Sequence, residues 1–171
     1  MADDIRFKHP FSCILSGPSG SGKSSFNLRL LQHLDSLCTE LNFSGGIIWC
    51  YSEKSAVPRQ TLAAIHKNVS FHVGVPQNFG DDLGRPSLII LEDLLNEEYS
   101  KDVCDLSTKG SHHRKISVIL ITQNLSIRGV SLETSLNAKY SVALKYVRDK
   151  SQFQYLARQV HPEDSDSLNK S

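Results

Sequence analysis

Short apolar runs alternate along the chain with polar or helical stretches. These β-rich runs are predicted to be strands of a parallel sheet, and the last of them is predicted from an alternating apolar pattern. Their alternation with helical stretches favours an α/β fold. The predicted strands cover residues 11–15, 46–51, 69–73, 87–91, 116–122 and 140–147.

Apolar residues at helical spacing follow the first predicted strand. They recur every three or four positions, which predicts one apolar stripe along a helix. The stripe consists of Phe26, Leu30, Leu34, Leu37 and Leu41. Helical patterns also occur at residues 61–66, 97–106 and 150–160.

The size of the chain fits one domain. At 171 residues, with 39% hydrophobic and 22% charged residues, it is long enough for one core and shows no sign of wholesale disorder. We expect a single domain over residues 1–171, with an ordered core at about 5–163 and a polar tail at 164–171. The net charge of +1 argues neither for nor against nucleic acid binding.

The cysteines indicate a reducing compartment. Cys13, Cys38, Cys50 and Cys104 are widely spaced and form no CxxC pair, and Cys13 and Cys50 lie in predicted strands, where buried free thiols are expected. The N-terminal residues lack the apolar region of a signal peptide. Because no apolar stretch approaches the ~20 residues that cross a bilayer, we expect a soluble intracellular protein.

Residues 17–24 satisfy the pattern G-x-x-x-x-G-K-[ST], between a predicted strand and a predicted helix. Glycines let backbone N–H groups converge on anionic oxygens, and the helix directs its positive end at phosphates. In such a loop Lys23 reaches the β- and γ-phosphates, and the Ser24 hydroxyl binds Mg²⁺. A chance glycine-serine linker would need neither flanking element. The predicted nucleotide-binding residues are Gly17, Pro18, Ser19, Gly20, Ser21, Gly22, Lys23, Ser24 and Ser25.

Two acids, Glu92 and Asp93, end the strand at 87–91. Downstream of a phosphate-binding loop, acids in this position hold the metal and activate water. The first acid is usually an Asp that supports Mg²⁺, and the second is the general base. Here either the longer Glu92 is accommodated at the metal or Asp93 takes that role. Alternatively, both belong to the first turn of a helix, where the helix dipole favours acids.

The strand at 116–122 is followed by Gln123. In P-loop ATPases with an extra strand between the loop strand and the acidic strand, this position faces the γ-phosphate. A glutamine there can position the attacking water or report the state of the nucleotide. A polar residue that simply leaves a buried strand fits equally well. The predicted fold is a three-layer α/β/α P-loop NTPase with a mostly parallel central sheet, of the additional-strand (ASCE) type.

Several segments together resemble the FtsK/HerA superfamily, and more narrowly the viral genome-packaging ATPases of Polinton- and adintovirus-type elements. They are GPSGSGKSS, LIILEDL, KGSHHRKISVILITQNL and LNAKYSVALKYVRDKSQFQYLARQVHPE. The resemblance covers residues from about 8 to about 163. It implies a ring-forming motor, pentameric or hexameric, that uses ATP and Mg²⁺ to pull double-stranded DNA into a capsid.

The resemblance also implies partners and a location. The partners would be viral capsid or portal-vertex proteins, with no membrane involved. The location would be the nucleus or cytoplasm of a host cell, or the virion.

The same resemblance assigns roles to residues at the predicted site. Lys23 and Ser24 would bind phosphate and Mg²⁺, Glu92 and Asp93 would form the acidic pair, and Gln123 would act as the sensor. The family usually has Asp-Asp or Asp-Glu at the acidic pair, so Glu92 is a departure.

Ring motors generally supply an arginine in trans that stabilises charge on the transferring phosphoryl group. Arg148 is the first candidate, Arg114 the second and Arg128 the third, although each also fits a solvated surface arginine. The basic run at 109–115 fits contacts with DNA phosphates or with a neighbouring subunit.

Two other functions share the loop and the size. A small nucleoside or nucleotide kinase would need a lid rich in arginine, which this sequence does not contain. A nucleotide-binding switch or assembly subunit without turnover is favoured by Glu92, because a misplaced acid can leave ATP bound but unhydrolysed.

Overall fold

The computed structural model describes residues 4–40, 42–53, 59–76, 85–94, 101, 106, 115–123 and 138–144. The strands in these ranges are β1 (Ser12–Ser16), β2 (Gly46–Tyr51), β3 (Val69–Val73), β4 (Ser87–Glu92), β5 (Ile116–Thr122) and β6 (Tyr140–Ala143). The helices are α1 (Lys23–Gln32), α2 (Leu34–Leu37) and α3 (Arg59–Ile65).

The strands form one sheet with the order β3-β2-β4-β5-β1-β6. Each neighbouring pair is parallel, so the prediction of a mostly parallel sheet is confirmed. The strand before Gln123, β5, lies between β1 and β4, as the additional-strand arrangement requires. Because all strands run in one direction, the carboxyl ends of β1, β4 and β5 meet at the same edge.

Both faces of the sheet are buried at its centre, where every residue of β4 and β5 is buried, whereas the edge strands β3 and β6 are partly exposed. Side chains alternate between the faces, so Leu88 and Ile90 join one core cluster and Ile89 and Leu91 join another. The first cluster also contains Leu31 of α1. Two buried faces explain the continuously apolar sequences, and they fit the three-layer fold predicted from the sequence.

The predicted helical stripe is partly wrong. The helix is interrupted at His33 (φ −116°, ψ 24°), which separates α1 from α2 and rotates the positions that follow. Leu30 and Leu34 are buried as expected, but Leu37 is 41% exposed. In α1 the buried set also includes Asn27 and Leu31.

Most predicted strand bounds agree closely with the structure. The bounds of β2, β3 and β5 are those predicted, β4 extends by one residue to Glu92, and β1 is shifted by one residue. The predicted strand at 140–147 is too long, since β6 ends at Ala143 and Leu144 is no longer part of it. Residues 145–147, the predicted helix at 150–160 and the tail lie outside the described residues. So does the predicted helix at 97–106, apart from Lys101 and Leu106. The single-domain assignment stays a prediction.

Cys13, Cys38 and Cys50 are free and buried, as predicted for the two in strands. Burial raises the pKa of Cys13 and of Cys50 to about 12, so both remain thiols at neutral pH. Cys104 lies outside the described residues. Within the described ranges, no helix has the length and apolar character needed to cross a membrane.

Candidate nucleotide site

The glycine-rich loop connects the carboxyl end of β1 to the start of α1. Gly20 and Gly22 have φ of +78° and +92°, which side-chain-bearing residues rarely adopt. The Gly17 N–H donates to the Thr122 carbonyl at 3.2 Å, so the loop is tied to the end of β5. The Ser21 N–H donates to the carbonyl of Pro18 at 3.1 Å and closes a turn.

The start of α1 is open to an anion. Its N-terminal cap is Gly22, no side chain caps it, and its first turn contains no acid. The first N–H groups of a helix have no partners within the helix and carry a partial positive charge. The start of α1 therefore offers the donors that bind phosphate oxygens in such loops.

Lys23 folds back over the loop. Its Nζ donates to the carbonyl oxygen of Gly17 at 2.6 Å and to that of Pro18 at 3.0 Å. Partial burial lowers the pKa of Lys23, while the nearby charges of Asp93 and Glu92 oppose that shift. The ammonium group thus lies between the loop and the acidic pair.

Glu92 is the last residue of β4 and is 7% exposed. The indole Nε1–H of Trp49 donates to Glu92 Oε2 at 3.0 Å. Burial is the main reason why the pKa of Glu92 is raised. Hydrogen bonds with Trp49 and with the Ser24 side chain oppose that shift, because they favour the carboxylate. The carboxylate therefore lies between an indole donor and the hydroxyl at the start of α1.

Ser24 and Glu92 together fit a magnesium ion. Mg²⁺ takes oxygen ligands and is usually bound by one or two carboxylates together with substrate phosphates. A hydroxyl and a carboxylate near each other, beside the open start of a helix, provide that kind of ligand set. The chemistry of the donors thus agrees with the predicted metal role of both residues.

Asp93 differs from Glu92 although the two are adjacent. Its backbone has φ +51°, in the left-handed region, and its N–H donates to the Ile121 carbonyl at 3.1 Å. Asp93 Oδ2 accepts a long hydrogen bond of 3.4 Å from Gln123 Nε2. The second acid and the predicted sensor therefore form a pair at the ends of β4 and β5.

The structure brings together the predicted residues that it describes. They come from the loop after β1 and from the ends of β4 and β5, and they are Lys23, Ser24, Glu92, Asp93 and Gln123. Arg148, Arg114, Arg128 and most of the basic run lie outside the described residues, so the trans arginine stays a prediction.

Sequence reasoning missed Trp49. It is the only tryptophan of the chain, it is fully buried in β2, and it donates a hydrogen bond to Glu92. A buried indole N–H needs a hydrogen-bond acceptor, so the sequence could have indicated that Trp49 contacts a polar group. The acceptor itself was hidden, since Glu92 is 43 residues away in the sequence.

Two solved structures are similar to this one. The cytoplasmic domain of EssC aligns with a TM-score of 0.63 and 14% identity, over 86% of this chain and 33% of that chain. The genome packaging NTPase B204 from Sulfolobus turreted icosahedral virus 2, in complex with ATP-gammaS, aligns with a TM-score of 0.56 and 12% identity, over 95% of this chain and 87% of that chain. The chain has the fold of a P-loop NTPase.

The P-loop NTPase fold confirms the fold class predicted from the sequence. At 12–14% identity the likeness shows the fold alone, and the chain spans about a third of the EssC chain. No protein-family model and no curated protein matches the sequence. Function must therefore be argued from the site.

Proposed function

We propose that this protein is an ATP-hydrolysing motor of the FtsK/HerA type that moves double-stranded viral DNA into a capsid. The main support for this proposal is that a phosphate-binding loop, an acidic pair and a strand-end glutamine meet at one edge of the sheet, with β5 between β1 and β4. The similarity to a genome packaging NTPase over 95% of this chain supports the choice of DNA as cargo. The narrower Polinton- and adintovirus-type assignment rests on the resemblance of the sequence segments quoted above.

Each described residue has a role in this proposal. The start of α1 and Lys23 bind the β- and γ-phosphates, while Ser24 and Glu92 hold Mg²⁺. Bound there, Mg²⁺ neutralises charge on the phosphate oxygens. Glu92 suits the metal side because its carboxylate is buried and lies near Ser24.

Asp93 and Gln123 suit the water side of the reaction. Asp93 is half-buried and paired with Gln123, so its carboxylate lies next to an amide that can orient a water molecule. In the proposed step Gln123 positions the water, Asp93 accepts its proton, and the water oxygen attacks the γ-phosphorus in line with the leaving ADP oxygen.

The proposal includes a homo-oligomeric ring, of five or six subunits, that binds capsid or portal-vertex proteins. In such a ring an arginine of one subunit completes the site of its neighbour. Arg148 is the first candidate for that residue and Arg114 the second.

The first test is ATP hydrolysis with and without double-stranded DNA. We expect Mg²⁺-dependent turnover that DNA stimulates and that Lys23→Ala abolishes, because the loop loses its phosphate-binding ammonium group. The matched control is Lys67→Ala, an exposed lysine between α3 and β3 at the opposite edge of the sheet, which should keep normal turnover. Phosphate transfer to a nucleoside would indicate a kinase instead, and tight ATP binding without turnover would indicate a switch.

A further inference from the structure

The indole of Trp49 lies on the same face of the sheet as the nucleotide loop. In the β2–β4 pairing, Trp49 is opposite Ile90 and Tyr51 is opposite Glu92. Trp49, Tyr51 and Ile90 belong to the same buried cluster as Leu31 of α1. The side chain of Glu92, two residues after Ile90, points to that same face. Trp49 therefore reaches along the strand direction to the carboxylate, which it meets at 3.0 Å.

In this contact Trp49 is the donor and Glu92 is the acceptor. An indole N–H can only donate, so its partner must act as an acceptor, and a carboxylate has lone pairs for about four hydrogen bonds. Only Oε2 of Glu92 has a hydrogen bond with Trp49, which leaves acceptor positions on the carboxylate. Trp49 thus holds the carboxylate without using up its capacity to bind a metal.

The length of the Glu92 side chain explains why a restraint by Trp49 would matter. A glutamate has one more methylene and one more rotatable bond than the aspartate usual at this position, so it needs an additional restraint to hold one geometry. Trp49 is 0% exposed and packed in the core, so its own position is fixed. A rigid donor that orients a metal-binding group is the usual arrangement around metal sites.

We propose that Trp49 is a positioning residue that fixes Glu92 as the acid on the Mg²⁺ side of the site. The proposal rests on the function proposed above, and it gives the Glu that replaces Asp a defined place. Asp93, which has no such restraint among the described residues and pairs with Gln123, is left for the water.

The first experiment uses the unmodified protein. Trp49 is the only tryptophan, so intrinsic tryptophan fluorescence reports on this one indole and its carboxylate. With ADP present, we expect Mg²⁺ to change the emission of Trp49 in a saturable way, and EDTA to reverse the change. Glu92→Gln should remove the Mg²⁺-dependent change. The proposal would be overturned if the Trp49 emission of the wild type did not change with Mg²⁺, or if the change persisted in Glu92→Gln.

The second experiment removes the donor and keeps an aromatic ring. In Trp49→Phe we expect the Mg²⁺ concentration for half-maximal ATP hydrolysis to rise by about 10- to 100-fold, the usual loss when a residue behind a metal ligand is changed. Binding of a fluorescent ADP analogue in EDTA should stay as in the wild type. Tyr51→Phe is the matched control, since it changes a neighbouring aromatic residue of β2 on the same face, and it should keep the wild-type Mg²⁺ requirement.

A double variant separates positioning from general packing. If Trp49 acts through Glu92, Trp49→Phe should add little to the Mg²⁺ requirement of Glu92→Asp, because the shorter acid has already lost the contact. Fully additive effects would indicate a packing role only and would contradict the proposal. If Trp49→Phe does not fold, the fluorescence of the wild type and of Glu92→Gln still decides.

The two proposals can fail separately. A wild-type protein that neither binds nor hydrolyses ATP would refute the proposed function. A wild-type protein that hydrolyses ATP with Mg²⁺, while Trp49→Phe keeps the wild-type Mg²⁺ requirement, would refute only the role of Trp49.

Discussion

At the scale of single residues, Glu92 and Asp93 differ in environment although they are adjacent. Glu92 ends β4 in the regular strand conformation and is buried between Trp49 and Ser24. Asp93 leaves the strand with a positive φ and contacts Gln123. Because the environments differ, the proposed function gives the two carboxylates different roles, Glu92 at the metal and Asp93 in proton transfer.

Gln123→Ala tests the water side of this division. We expect ATP binding to remain largely intact and the turnover number to fall by about 10²-fold, since a misplaced reactant typically loses that much. The two quantities are measured separately, by binding of a fluorescent ATP analogue and by phosphate release. Gln32→Ala, an exposed glutamine at the end of α1, serves as the control. Normal turnover in Gln123→Ala would remove this residue from the mechanism.

At the scale of elements, the central strands β4 and β5 were predictable because they are largely apolar runs, as two buried faces require. The place of β5 came from its strand-end glutamine and from known P-loop ATPases, since hydrophobic periodicity carries no information on strand order. The continuation of the α1 stripe to Leu37 was wrong because the interruption at His33 leaves no signal in the spacing of apolar residues.

The contact of Trp49 with Glu92 could not be predicted from the sequence. It depends on the pairing of β2 with β4 and on a register that places Trp49 opposite Ile90. A shift of one residue would move the indole to the other face of the sheet. Register is set by the packing of the whole core, whereas motifs locate residues only along the chain.

The central position of β5 predicts where the stability of the sheet resides. Ile119 is 1% exposed and packs among residues of the core cluster that also contains Leu31. We expect Ile119→Ala to lower the free energy of unfolding by about 2–5 kcal/mol, because it removes buried methyl groups and leaves a cavity. Ile5→Ala makes the same change at a residue that is 95% exposed and should cost less than about 0.5 kcal/mol. Denaturant unfolding measures both, and equal losses would contradict the central placement of β5.

At the scale of the whole molecule, the site exists only when distant parts of the chain are assembled. The ends of β1, β4 and β5 are joined by hydrogen bonds such as that from the Gly17 N–H to the Thr122 carbonyl. At the opposite edge of the sheet, hydrogen bonds also join residues that are distant in the sequence. There His9 Nδ1 and the Ser117 hydroxyl share a hydrogen bond of 2.6 Å, and the same hydroxyl oxygen accepts the Phe11 N–H at 3.1 Å.

We expect the burial of His9 to make the stability of the fold depend on pH. Burial lowers the pKa of His9 below its ordinary value of 6.5, against an opposing effect of Glu40. A hydrogen bond with the Lys115 backbone raises the pKa of His9, and the positive charge of Lys115 lowers it. The folded protein therefore favours neutral His9, whose Nδ1 can accept from Ser117. Above pH 6.5 His9 is neutral in both states and the stability is full.

As the pH falls below 6.5, the unfolded chain takes up a proton that the folded chain resists, so stability is lost until the lowered pKa of the folded state is reached. One proton changes the free energy of unfolding by at most about 1.4 kcal/mol per pH unit, and solvent screening at half-buried His9 reduces that slope. Urea unfolding measured from pH 7.5 to pH 5 should show this loss in the wild type and in His72→Asn, which changes an exposed histidine. In His9→Gln, which keeps an acceptor for Ser117, the loss should be smaller, and an unchanged pH dependence would show that other groups cause it.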